Sequence, residues 1–377
     1  MLVYGEAALE YNFGPEHPLT PRRFPPSIDL IGTLGATNIV EPRVATDDEI
    51  ARLHTRDYID TVRRFAADPR GESPLAGIGP GDCPPFEDMH VASARVVGGS
   101  LEGVDRILKG EVEHAFNPAG GLHHASAARA SGFCIYNDVA LAAAHARDAG
   151  HRVMYVDLDV HHGDGTQALF WDDPNVLTLS IHETGRSLFP GSGFIDERGG
   201  PEALGTKVNL PLHPLTGDSS WLAALERVLP ALAETFQPTF LVTQHGCDTH
   251  VFDPLAHLRL TTRAYRAVTL LLDRIAHEHA GGRWFATGGG GYDAYRVVPR
   301  SWALVWLAQA HQEPPLETAA EWRQRWSDEA DSYGQSPLPT FMLDPQDLVK
   351  SEADDLIEDN AKTVERALGG ALELLGR

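Results

Sequence analysis

Short apolar runs at 153–156, 176–181, 239–243 and 284–287 alternate with stretches of helical periodicity at 139–149, 221–235 and 261–279. Alternation of this kind predicts an α/β fold with a largely parallel sheet. The runs are apolar throughout rather than at every second position, as strands covered on both faces are. Residues 112–116 read as a further strand. No internal repeat and no low-complexity segment interrupts this order.

Each run opens at once into polar chemistry. Residues 153–156 lead into D-L-D-V-H-H-G-D-G (157–165) and 176–180 lead to His182. Residues 239–243 lead into Q-H-G-C-D-T-H-V-F-D-P (244–254), and 284–287 lead into G-G-G-G-Y (288–292). In open α/β sheets, ligands bind in the crevice beyond the carboxyl ends of the strands. Four separate segments are therefore expected to meet at one site. This body is expected to span residues 1–312. Residues 313–377, with 15 acidic and 6 basic side chains, read as an acidic extension. Leu356, Leu368, Leu372 and Leu375 predict a closing amphipathic helix, docked on the body or on a partner subunit, so a homo-oligomer stays open.

Composition narrows the partners. The chain of 377 residues is long enough to bury a large core. Its 31 Lys and Arg against 53 Asp and Glu give a net charge of −22. That argues against nucleic acid and anionic membranes, and suits either cationic partners or plain solubility. Cys83, Cys134 and Cys247 are far apart and odd in number, so a reducing cytoplasm is the expected setting. No apolar run approaches the roughly 18 residues of a spanning helix, and the first residues lack the layout of a signal peptide.

The densest chemistry is D-L-D-V-H-H-G-D-G. Alternate side chains of a strand share a face, so Asp157, Asp159 and His161 point the same way if the strand continues that far. A carboxylate and an imidazole two positions apart can hold one ion, and oxygen and nitrogen donors without cysteine suit catalytic Zn²⁺ or Fe²⁺. A third ligand must come from elsewhere, with Asp253 the best candidate. In A-G-G-L-H-H-A (119–125), His123 and His124 suit an acid and a base acting on one centre. Asp157 and Asp164 are available to fix their tautomers. The glycine run lacks the Lys-Ser/Thr ending of a phosphate loop. Its expected task is to position Tyr292, whose phenol can donate to an oxyanion. In S-G-F-C-I-Y-N-D (131–138), Phe133 is expected to form one wall of an apolar slot and Phe189 the other.

Taken together and in this order, these segments resemble the histone deacetylase family, near its class I type and closest to the bacterial acetoin-utilisation branch. The resemblance runs from about Tyr4 to about Ala310. It implies a three-layer α/β/α sandwich around an eight-stranded parallel sheet of the arginase–deacetylase type. It also implies Asp159, His161 and Asp253 as metal ligands, and His123 and His124 as the catalytic pair with Asp157 and Asp164. Tyr292 would stabilise the oxyanion. Phe133, Phe189, Gly132 and Gly290 would form the acyl-lysine tunnel, Asp82 its rim, and Arg23 the acetate pocket. Potassium is implied at Asp157, Asp159, His161, Ser180 and Ile181, and at a second position through Phe170, Asp173 and Val176. Leu122 departs from the Trp or Tyr many members carry, which affects the lower tunnel.

The expected activity is hydrolysis of acetyl-lysine in proteins by a zinc- or iron-dependent enzyme, with acetyl-CoA synthetase the partner the resemblance suggests. Acetylpolyamines are the alternative substrate, and Asp82 favours a peptide. Binuclear ureohydrolase chemistry and a non-enzymatic acyl-lysine reader are weaker rivals.

Overall fold

The computed structural model describes residues 1–376. Eight strands form one sheet: β1 (Leu2–Val3), β2 (Ile39–Val40), β3 (His114–Asn117), β4 (Val153–Asp157), β5 (Val176–Glu183), β6 (Lys207–Leu212), β7 (Phe240–Gln244) and β8 (Trp284–Thr287). Their order across the sheet is β2-β1-β3-β8-β7-β4-β5-β6, and every pairing is parallel.

The apolar runs are buried on both faces because helices cover both. Within β4, Val153 and Tyr155 pack with helices Met89–Leu108 and Asp138–Asp148. Met154 and Val156 face the other way, into the core built with helices Asp218–Phe236, Thr262–His279 and Val298–Gln309. The period of two that a strand imposes thus divides one continuous apolar run between two cores.

The structure adds β1, β2 and β6, which the apolar pattern does not announce. Strands β1 and β2 are two residues long, too short for any periodicity. Strand β6 begins with a lysine and carries Asn209 and Pro211 at the sheet edge. The closing leucine-bearing segment forms helix Asp354–Leu375. Its buried seam, Val364, Ala367, Leu368 and Ala371, follows helical spacing and joins the main core beside β6 and helix Asp218–Phe236.

Candidate active site

Loops leaving the carboxyl ends of β3, β4, β7 and β8 meet at one place. The sheet order explains this, since β3, β8, β7 and β4 are consecutive neighbours. The His123–His124 loop is tied down by the start of helix Asp138–Asp148. Asn137 caps that helix through Ala140 N and donates its amide to the carbonyls of His123 and Ala125. Asp138 accepts from the backbone of Gly121 and Leu122 and from Ser100, and burial pushes its carboxyl up to about 6. Both residues belong to the S-G-F-C-I-Y-N-D motif (131–138). The signal was there, since adjacent Asn and Asp before an Ala-rich stretch mark a helix start.

Each histidine has its own carboxylate. His123 donates through Nδ1 to Asp157 at 2.7 Å, and His124 through Nδ1 to Asp164 at 2.6 Å. Asp157 is itself fixed by the Tyr155 hydroxyl at 2.6 Å. The two Nε2 atoms stand 3.0 Å apart, so one proton lies between the rings. Burial works against charge on both, but Asp157 and Asp159 outweigh it at His123 and raise it to about 9. At His124, burial and the charge of His123 win, lowering it to about 4. The pair therefore holds one proton near neutral pH, on the His123 side.

Asp159 and His161 converge as expected, with His161 Nδ1 3.0 Å from Asp159 Oδ1. Gln244 and Gly290 donate to the other Asp159 oxygen at 2.7 and 2.8 Å. Gly290 leaves that approach open, because a Cβ there would lie 2.0 Å from Asp248 Oδ2. Asp248, of the C-D-T-H-V-F-D-P segment, is 3.1 Å from His161 Nδ1. Asp159, His161 and Asp248 bring their donor atoms within 4.8 Å of one another. Asp253 lies outside that tight group, its oxygens accepting from Leu255 N and Tyr292 N. Burial and like charge push Asp248 up to about 6 and Asp253 well above the usual carboxylate range. Three buried carboxylates around one imidazole form a donor set that fits a divalent cation, which would displace the protons they hold.

Tyr292 leaves the glycine run with its phenol unpaired among the described residues. Burial and the nearby carboxylates keep that phenol protonated. Its backbone is held from two sides, by Asp253 and by Gln335 Nε2 at 3.2 Å. Gln335 belongs to the C-terminal segment. So does Asp344, which binds His250 at 2.9 Å and Arg300 at 2.8 Å, so this segment braces the loops of the site.

The cavity is lined by Gly132, Phe133, both histidines, Asp159, His161, Gly290, Tyr292 and Arg23, and holds about 20 Å³. Gly132 has φ +54, and a Cβ there would strike the His124 ring at 2.1 Å. Phe133 packs edge-on to Tyr292, and Phe189 lies half exposed over His124 at 5.0 Å between centroids. Asp82 is at the exposed rim, where Oδ2 accepts from Gly132 N at 2.7 Å. Arg23 is buried without a carboxylate partner. It donates to the Gly289 carbonyl at 2.6 Å, while its Nε has no partner.

Asp157 and Ser180 are neighbours in register across β4 and β5. Beside Val176 and Asp173 of the second expected potassium position stands Lys207, the first residue of β6. Its Nζ donates to Val176 O at 2.7 Å, Thr206 Oγ1 at 2.8 Å and Asp173 O at 3.4 Å. The Phe170 carbonyl accepts from Asp173 N. An ammonium has three donors and finds three oxygens here. Burial pushes Lys207 down to about 7, with Asp173 and Asp172 pulling the other way.

Comparison with known proteins places this geometry. The histone deacetylase domain family matches residues 17–309. The acetoin utilization protein AcuC of Bacillus subtilis is 41% identical over 376 residues, covering 98% of this chain and 96% of the relative. AcuC of Staphylococcus xylosus is 37% identical over 351 residues, covering 92% and 90%. A crystal structure of an HDAC homolog complexed with SAHA superposes with a TM-score of 0.82 at 29% identity, covering 97% of this chain and 98% of that one. Matches of this extent show that the chain belongs to the histone deacetylase family, on its acetoin-utilisation branch, and is a deacetylase.

Proposed function

We propose that this deacetylase removes acetyl groups from the side-chain amine of lysine in proteins, using a zinc-class ion held by Asp159, His161 and Asp253. The observation that carries the reading is the pair of Asp–His couples, His123–Asp157 and His124–Asp164, packed against a buried Asp–His donor set. Bound there, such an ion supplies Lewis acidity to the acetyl carbonyl and acidity to a water, and either zinc or iron suits the donors.

The residues of the chain supply the rest. His124, kept neutral by burial and by His123, takes a proton at Nε2 while Asp164 holds Nδ1. His123 keeps its proton and opposes the negative charge that develops nearby. The Tyr292 phenol donates to the developing oxyanion, and the histidine pair returns a proton to the leaving amine. Phe133 and Phe189 take the alkyl chain of the lysine and exclude water from it. Asp82 keeps Oδ1 without a protein donor among the described residues, which suits a substrate amide at the rim. Arg23, a buried cation with an unpartnered Nε, suits the acetate product. Potassium beside Asp157, Asp159, His161, Ser180 and Ile181 belongs to the same proposal.

A second reading of the third ligand is Asp248, favoured by its 3.1 Å approach to His161 Nδ1. A second reading of the substrate is an acetylpolyamine, favoured by the net charge of −22. Acetyl-lysine peptide and acetylspermidine are assayed side by side, before and after chelation and with Zn²⁺ or Fe²⁺ restored. Peptide turnover that vanishes on chelation and returns with metal is expected. Turnover confined to acetylspermidine would replace the substrate assignment, and turnover indifferent to chelation would remove the metal from it.

A further inference from the structure

Three histidines converge on one carboxylate at the end of the sheet opposite the active site. His114 opens β3, Asp273 and His277 lie one turn apart on helix Thr262–His279, and His311 follows helix Val298–Gln309. Asp273 Oδ1 is 3.2 Å from His311 Nε2, 3.5 Å from His277 Nε2 and 3.9 Å from His114 Nε2. The Nε2 atoms of His277 and His311 are 3.3 Å apart. All four donor atoms lie within 4.8 Å of one another. Tetrahedral donors bonded to zinc at about 2.0–2.1 Å stand about 3.3 Å from each other. Three of the four separations are close to that edge.

His114 supplies the independent observation. Its side chain is 4% exposed. Its Nδ1 is 2.9 Å from the Gln309 carbonyl, which can only accept, so Nδ1 carries the proton and Nε2 the lone pair. That Nε2 is buried, has no hydrogen-bond partner among the described residues, and points toward Asp273. A lone pair facing a carboxylate oxygen is unfavourable unless a cation lies between them. His277 and His311 are open to solvent, with side chains 39% and 52% exposed, and give an ion its way in.

We propose a second metal site here, a three-histidine, one-aspartate set for a divalent first-row transition ion of the zinc type. All four donors come from the protein, as in a structural rather than a catalytic site. The ion joins the start of β3, helix Thr262–His279 and the segment after helix Val298–Gln309, three parts distant in sequence. It stabilises the folded chain by binding it and not the unfolded one.

The test uses tag-free full-length protein, stripped with chelator, dialysed against Zn²⁺ and analysed for bound zinc. Two ions per chain are expected for the wild type. One is expected for the double variant His277→Ala, His311→Ala, with peptide deacetylation unchanged and the zinc-dependent rise in Tm lost. Both side chains are exposed, so the variant keeps its fold. If the double variant still holds two ions, the second lies elsewhere, as it would in a binuclear active centre, and the proposal falls. It falls equally if the wild type holds a single ion that Asp159→Ala removes.

Discussion

The two ends of the sheet carry the same residue types arranged to opposite effect. At the carboxyl end, His123 and His124 each own a carboxylate and are buried, at 3% and 5% exposure. At the amino end, three histidines share Asp273, and two of them face solvent. A dedicated carboxylate fixes the tautomer of one ring and sets its protonation apart from its neighbour's, which acid–base chemistry needs. A shared carboxylate leaves lone pairs converging on one point, which suits holding an ion. The arrangement of partners separates the two, not the inventory.

The sharpest way to break this contrast is to remove a donor from the buried end. Asp253→Ala should lose the active-site ion and bring turnover to background, read by elemental analysis beside the peptide assay. Full occupancy in that variant, with loss in Asp248→Asn, would move the ligand to Asp248. Next in size is Tyr292→Phe, which should lose about 10²–10³ in turnover with an unchanged melting curve. Near-normal turnover would separate the phenol from the oxyanion.

Asp157→Asn tests the dedicated partner itself, with an expected loss of roughly 10–100-fold. Asp157 helps raise His123 to about 9, so its neutralisation lowers that limit and moves the alkaline limb of kcat/KM to lower pH. His123 is still charged near pH 4, so the acid limb set by His124 stays in place. A profile that narrows from the alkaline side is the expected result, and an unshifted profile would detach Asp157 from the proton inventory. The smallest effect is expected at the other end. The His277→Ala, His311→Ala pair should leave turnover and its pH profile unchanged, and any drop in turnover would couple the two ends.

Much of the buried end was legible in the sequence because its chemistry sits directly after apolar strands. The motif D-L-D-V-H-H-G-D-G carries Asp159 and His161 two positions apart, and they meet in the loop just beyond the end of β4 at Asp157. The helices at 139–149, 221–235 and 261–279 appear as Asp138–Asp148, Asp218–Phe236 and Thr262–His279. What stayed hidden was set by packing across long sequence separations. Asp248 meets His161 across 87 residues, and Gln335 reaches the Tyr292 backbone from 43 residues away. The His114 cluster spans three elements, none of which looks unusual alone. Lys207 stayed hidden for a different reason, since it opens an edge strand whose polar residues masked the strand itself.

Lys207 has a consequence for how the molecule responds to its surroundings. A free ion in a carbonyl cage comes and goes with its concentration outside. An ammonium tethered by its own backbone cannot be diluted away. It answers to protons instead. With Lys207 pushed down to about 7, its charge fades as the medium turns alkaline, and the cage keeps its occupant while losing its cation.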